Sequence, residues 1–216
     1  MISPRPERHA DWYFDVLSPF AYLQLKAHMP RLRERVDIRP RPIVLGAVLS
    51  HWGQKGPAEI EPKRLHTYRL AQYRAGQLGL PFRFPPVHPF NPITASRAIV
   101  ARGSDWATVE ALFDTIWQQG VDLSTPSGLA DLAGVLDDPD LAERIGTDAV
   151  KQELRANGEA ALAAGVFGVP SFVMDGEVFW GEDATGLLAA FVDDPDLFRS
   201  PEMARLATIP VGIARK

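Results

Sequence analysis

Cysteine is absent from all 216 residues of the chain. Its absence excludes disulfides, thiolate metal ligands and any thiol nucleophile that the protein itself would supply. No apolar run approaches the roughly 20 residues that a membrane-spanning helix needs. A basic excess is missing as well: 23 Lys and Arg stand against 27 Asp and Glu, a formal net charge of −4. Neither nucleic acid nor an anionic membrane is therefore expected as a partner. The histidines (His9, His28, His51, His66 and His88) lack the paired spacing of a metal site, and Asp193-Asp194-Pro195-Asp196 reads as a solvated turn, so no metal is expected. G-x-G-x-x-G, a P-loop and G-x-S-x-G are all missing. The common nucleotide-binding signatures are thereby excluded, and a hydrolase serine elbow is disfavoured. The opening stretch Met1–His9 carries charges and prolines instead of an apolar core, unlike a secretory signal. A cytoplasmic location is the expectation.

What is present fits a water-soluble globular protein: 46% of the residues are hydrophobic and 23% charged, in a chain long enough to bury a sizeable core. Residues 11–44 read strand–helix–strand. Asp11–Val16 forms a buried strand, Ser18 is placed as N-cap and Pro19 as first helical residue of a helix reaching about Arg33. Val36–Val44 alternates apolar and polar residues, but Pro40 and Pro42 each remove a donor, which predicts an edge strand. Residues 45–146 are helix-rich. Between Ala58 and Leu78, the residues Leu65, Tyr68, Ala71, Gln72 and Ala75 fall on or near one helical face. Leu80–Pro92 is too rich in proline for helix or inner strand. Its phenylalanines (Phe82, Phe84, Phe90) make it either a pocket wall or a rigid connector. Helices follow at Ile93–Arg102, Trp106–Gln119 and Pro126–Leu136, the last with Ser124 or Thr125 as cap. Residues 147–192 bring an alanine-rich helix (Thr147–Ala164) stopped by Gly165. Strands Ser171–Met174 and Glu177–Trp180 then join through Asp175-Gly176, a tight-hairpin signal, and a helix runs from Asp183 to Val192. This is the order of an α/β thioredoxin-like fold carrying an inserted all-helical domain: 11–44 and 147–192 make the first domain, 45–146 the insertion, and 193–216 a surface tail.

Three residues could carry chemistry. Ser18 would cap its helix, worth about 1 kcal/mol. The same helix start offers unpaired N–H groups and positive potential to an anion. Pro170 in Gly168-Val169-Pro170-Ser171 marks a strand start; with a cis bond it would also turn the Val169 N–H and C=O toward the Ser18 helix, where an extended ligand could pair with them. Asp183 reads as a helix cap, and equally as a carboxylate for a ligand ammonium. The basic residues Lys55, Lys63 and Arg64 follow the second strand, either as a solvated face or with one contact to an anionic ligand.

Several stretches together resemble the 2-hydroxychromene-2-carboxylate isomerases, relatives of kappa-class glutathione transferases in the DsbA-like branch of the thioredoxin superfamily. They are Tyr13-Phe14-Asp15-Val16-Leu17-Ser18-Pro19-Phe20-Ala21-Tyr22-Leu23, Lys63-Arg64, Leu78-Gly79-Leu80-Pro81-Phe82, Phe90-Asn91, Gly165-Val166-Phe167-Gly168-Val169-Pro170-Ser171-Phe172 and Phe179-Trp180-Gly181-Glu182-Asp183. The resemblance implies a homodimer with glutathione bound between the two domains. Ser18 stands where redox-active relatives have a cysteine, so the thiol must arrive with the cofactor. The family pattern puts Ser18 beside the glutathione sulfur, the Val169 backbone and Pro170 at its cysteinyl part, Asp183 at its γ-glutamyl end and Lys63 at a carboxylate. Gln54 stands where relatives often have asparagine, and Ala184-Thr185 where many have arginine. The implied reaction interconverts 2-hydroxychromene-2-carboxylate and trans-o-hydroxybenzylidenepyruvate, or a close aromatic carboxylate, by transient thiolate addition. A kappa-like transferase that releases a conjugate, and a non-catalytic glutathione- or peptide-binding module, are the alternatives.

Overall fold

The computed structural model describes residues 8–213. Most of the opening stretch Met1–His9 and the last residues of the 193–216 tail lie outside it. Four strands form one mixed sheet in the order β2-β1-β3-β4. Strand β1 (His9–Phe14) is central, paired on both sides; Ala10, Trp12 and Phe14 on one face are fully buried, and Tyr13 on the other nearly so. Strand β2 (Asp37–Pro42) pairs with β1 in parallel, setting Trp12 opposite Pro40 and Phe14 opposite Pro42. A strand with two prolines can serve only one neighbour fully, and β2 is indeed at the edge. Strand β3 (Ser171–Met174) runs antiparallel to β1 and hairpins into β4 (Glu177–Trp180). Asp175 and Gly176 both take positive φ (51° and 86°), the backbone of the expected tight turn.

The first helix is shorter than its sequence predicts. Helix α1 (Pro19–Ala27) ends at His28 and a short α2 (Met29–Arg33) begins anew. Pro30 has no N–H to give back to the preceding turn and its ring collides with that turn's carbonyl, so the helix breaks there. Between β2 and the long α9 lie α3 (Leu45–His51), α4 (Glu61–Gln77), α5 (Ile93–Ala101), α6 (Trp106–Phe113), α7 (Pro126–Val135) and α8 (Leu141–Arg144). Thr125 supplies the cap of α7, its hydroxyl accepting from Gly128 N at 3.0 Å. Helix α6 passes into a π-helical turn over Asp114–Gln118, which carries Trp117 under the site. Helix α9 (Asp148–Ala163) packs against β2 and α5, and α10 (Thr185–Asp193) follows the hairpin. The tail is more ordered than expected. Phe198 stacks on Phe191 (5.2 Å between ring centres) and Phe179 (5.9 Å), ahead of α11 (Pro201–Leu206).

Sheet and helical segment share one continuous core. Trp12 stacks on Phe14 at 4.2 Å and lies beside Trp106 and Phe113 of α6. Its indole N–H donates to Gln24 Oε1 at 2.7 Å. The Gln24 amide in turn donates to Gly181 O (3.1 Å) and Thr185 Oγ1 (3.0 Å). A buried amide with every group satisfied is rigid as well as stable. This network ties β1, α1 and the Gly181–Thr185 turn into one unit, and the site is built on it.

Candidate active site

The site begins where β1 stops. Asp15 is fully buried; its Oδ1 accepts from Leu17 N (3.0 Å) and its Oδ2 from Leu45 N (2.8 Å). One carboxyl thus joins the entry of α1 to the first residue of α3. Burial pushes its pKa up to about 7, against the pull of those two N–H groups. Ser18 caps α1 in extended conformation, its hydroxyl accepting from Ala21 N at 3.3 Å. Two further donors brace the same bend: Trp117 Nε1 donates to Val16 O at 2.8 Å, and His88 Nε2 to Leu17 O at 2.8 Å.

Ser18 opens on a cavity of about 240 Å³, walled by Leu17, Phe20, Leu49, Tyr68, Pro89 and Val169 among others. The Val169–Pro170 bond is cis. Neither the N–H nor the C=O of Val169 makes a hydrogen bond among the described residues. Trp180 and the Ser171 hydroxyl hold this segment in place. Ser171 Oγ donates to Gly168 O at 2.8 Å, and the Trp180 indole lies so close over Gly168 that any side chain there would overlap it. Phe20 and Val169 also wall a second hollow of about 280 Å³, together with Leu70, Arg74, Pro170, Trp180, Gly181, Glu182 and Asp183. The two hollows share Phe20 and Val169 in their walls and so adjoin as one cleft.

Charges in the second hollow divide into paired and unpaired. The buried Glu182 accepts from His28 Nε2 (2.8 Å) and from Arg74 Nη2 (2.7 and 2.5 Å to its two oxygens). The His28 hydrogen bond, with Arg74 behind it, holds the Glu182 carboxyl below its ordinary range despite burial. Asp183 is exposed and makes no ion pair among the described residues. It is not a helix cap either: α10 starts at Thr185, after a turn in which Ala184 N donates to Gly181 O at 3.3 Å. Gly181 takes φ +98° there, and the Asp183 carboxylate folds over it.

Four of the six residues picked from the sequence therefore meet at one cleft: Ser18, Val169, Pro170 and Asp183. Gln54 and Lys63 are exposed and wall neither hollow. The proline-rich loop does reach the cavity, but through His88 and Pro89. Phe82 and Phe84 pack instead on Trp117, at 5.6 and 5.3 Å. Sequence reading passed over Asp15, His88 and the Arg74–Glu182–His28 cluster. His88 carries no local signal beyond its proline-rich loop, and the cluster joins residues too far apart in sequence for any local pattern to reveal.

Comparison with known proteins places the fold in a family. Residues 10–193 match the family described as DSBA-like thioredoxin domain, and the chain belongs to that family. Within it, the chain is 32% identical over 193 residues to a 2-hydroxychromene-2-carboxylate isomerase of Sphingobium xenophagum, covering 85% of this chain and 97% of the relative. It is 25% identical to human glutathione S-transferase kappa 1, covering 87% and 92% respectively. A solved 2-hydroxychromene-2-carboxylate isomerase superposes with a TM-score of 0.75 over 92% of this chain and 95% of that one, at 24% identity. The expected fold class and family hold. Among the described residues, no helix is long and apolar enough to cross a membrane.

Proposed function

We propose that the protein is a glutathione-dependent isomerase acting on 2-hydroxychromene-2-carboxylate or a closely related aromatic carboxylate. One observation carries the reading: in a chain without cysteine, a helix-start hydroxyl and an unpaired backbone segment before a cis-proline wall the same cavity. That arrangement suits a ligand that is a peptide and brings its own thiol. The residues present fit glutathione. Val169 offers one N–H and one C=O to the cysteinyl unit, and Asp183 an exposed carboxylate to the γ-glutamyl ammonium. Lys63 and Gln54 are the groups we assign to carboxylate and amide contacts. When bound, glutathione would supply a thiolate that adds reversibly to a conjugated carbon, leaving a single bond free to rotate.

The chain's own residues prepare that chemistry. Ser18 Oγ–H would be the donor to the sulfur of bound glutathione, while its oxygen still accepts from Ala21 N. The positive end of α1 favours the thiolate over the thiol, each pKa unit of lowering needing about 1.4 kcal/mol. Burial raises the Asp15 pKa to about 7, so below that pH most of the carboxyl at the entry of α1 would be uncharged. We assign a homodimer and a cytoplasmic location on the same grounds of family likeness.

The test is to supply reduced glutathione and 2-hydroxychromene-2-carboxylate, following product absorbance and free thiol together. Isomerisation with the free thiol unchanged supports the reading. Consumption of thiol in step with substrate would make the protein a kappa-like transferase, and no reaction would leave a binding module.

A further inference from the structure

We infer that a hollow behind α3 binds a small amphipathic anion, a molecule with an aliphatic body and a single anionic head. The inference goes beyond the proposed reaction and does not depend on it. The hollow has a volume of about 320 Å³ and lies between α3, α5 and α9. Helix α3 divides it from the Ser18 cavity: Ala47 and Val48 line the hollow, whereas Leu45, Gly46 and Leu49 wall the cavity. On α9, Lys151, Arg155, Gly158, Glu159 and Leu162 recur at helical spacing and form one stripe along the hollow. The stripe runs about 16 Å at the α-helical rise per residue.

The charges lining it are unbalanced. Arg97, Lys151 and Arg155 are cations, against the one carboxylate of Glu159. Arg97 Nε is buried and has no hydrogen-bond partner among the described residues. Neither Arg97 nor Arg155 forms an ion pair among those residues. Lys151 pairs with Asp148 at 3.1 Å, but that carboxylate is largely exposed and the pair is worth little in water. A buried guanidinium donor left without an acceptor is destabilising, and an anionic oxygen brought to it removes the penalty.

The apolar lining is aliphatic: Val44, Val48, Ile93, Leu154 and Leu162, with no aromatic ring among them. Gly158 helps to keep the hollow open. It sits inside α9, where alanine would favour the helix more, and a Cβ at this position would meet nothing within 4 Å. Its φ is not positive, so neither a turn nor a close approach requires glycine there. What the missing side chain leaves is room. An alkyl chain against this lining would hold its anionic head to Arg97, with Arg155 and Lys151 adding to the positive field.

The experiment is a calorimetric titration of the full chain with octanoate, octyl phosphate, octan-1-ol and acetate, with and without saturating glutathione. Octanoate should bind about tenfold or more tightly than octan-1-ol, which lacks the charge, and than acetate, which lacks the apolar body. Octyl phosphate identifies the head: tighter binding than octanoate assigns a phosphate monoester, weaker binding a carboxylate, and either supports the site. Arg97→Gln should remove the preference for acid over alcohol. Gly158→Met, which fills the hollow, should weaken octanoate and octan-1-ol alike, severalfold. Gly158→Ala should raise the melting temperature of the ligand-free protein, because the helix gains and nothing is displaced. A fall would show that the glycine serves the fold, and would count against the site. Equal binding of acid and alcohol, octanoate binding unchanged in both Arg97→Gln and Gly158→Met, or displacement of octanoate by glutathione would each overturn the assignment. Self-association that octanoate blocks and Arg97→Gln abolishes, followed by sedimentation, would overturn it too and make the hollow a contact between copies of the chain.

Discussion

Replacing Asp15 by Asn should change how stability depends on pH more than it changes stability at any one pH. The carboxyl is fully buried with two backbone N–H donors, and its pKa rises from 3.8 to about 7. Between those values the folded protein keeps a proton that the unfolded chain has lost. The stability this contributes is complete below about pH 4 and is lost as pH rises to about 7. At roughly 1.4 kcal/mol per pKa unit, the loss across that window is about 4 kcal/mol. Asparagine does not titrate, so this position contributes no slope in the variant. It will be the less stable protein in acid, because its amide can accept from only one of Leu17 N and Leu45 N; the orphaned donor costs about 1–3 kcal/mol. Urea unfolding of both proteins at steps from pH 4.5 to 7.5 gives the difference, in which the other titrating groups cancel. Wild type should lose its advantage steadily toward neutral pH. A difference independent of pH would show that Asp15 is ionised throughout, and that the base of the site carries a negative charge.

Ser18→Ala removes a hydrogen bond to a thiolate, worth about 1.5–3 kcal/mol. Turnover should fall roughly tenfold to a hundredfold in steady-state assays, while glutathione affinity changes little and the lost cap lowers stability by about 1 kcal/mol. Asp183→Ala should weaken glutathione binding by up to about 1 kcal/mol in a calorimetric titration, the modest size following from its exposure. Glu182→Gln leaves Arg74 and His28 without their shared carboxylate and should cost about 3 kcal/mol in urea unfolding at pH 7. Because the Glu182 pKa is depressed, its contribution is present above the usual carboxylate range and disappears as pH falls through the lowered folded value. The wild-type advantage over Glu182→Gln should shrink below about pH 4.

Elements governed by local rules were legible in the sequence. The β3–β4 hairpin follows from Asp175-Gly176, the edge position of β2 from Pro40 and Pro42, and the start of α1 from Ser18-Pro19. Local signals also misled. An aspartate before an apolar stretch resembles a cap, but the hydrogen bonds of Gln24 and Thr185 hold the Gly181–Thr185 turn and delay α10 past Asp183. Pro30 breaks the helix after α1 inside a pattern that otherwise predicts one helix to about Arg33. The candidate cleft was legible in part, through its lining residues Ser18, Val169, Pro170 and Asp183, because motif residues near chain turns stand out. Its support was hidden. Asp15 reads as one polar residue at a strand end, and only the fold brings Leu45 to its second oxygen. His88 lies 71 residues from the carbonyl it holds.

The central claim is that this cysteine-free cleft takes its thiol from glutathione, and a calorimetric titration of the purified protein with reduced glutathione tests it most directly. The account expects saturable binding of one glutathione per subunit, weakened in Asp183→Ala and nearly unchanged in Ser18→Ala. No binding at millimolar glutathione would contradict it, leaving the fold intact and the proposed reaction without its nucleophile.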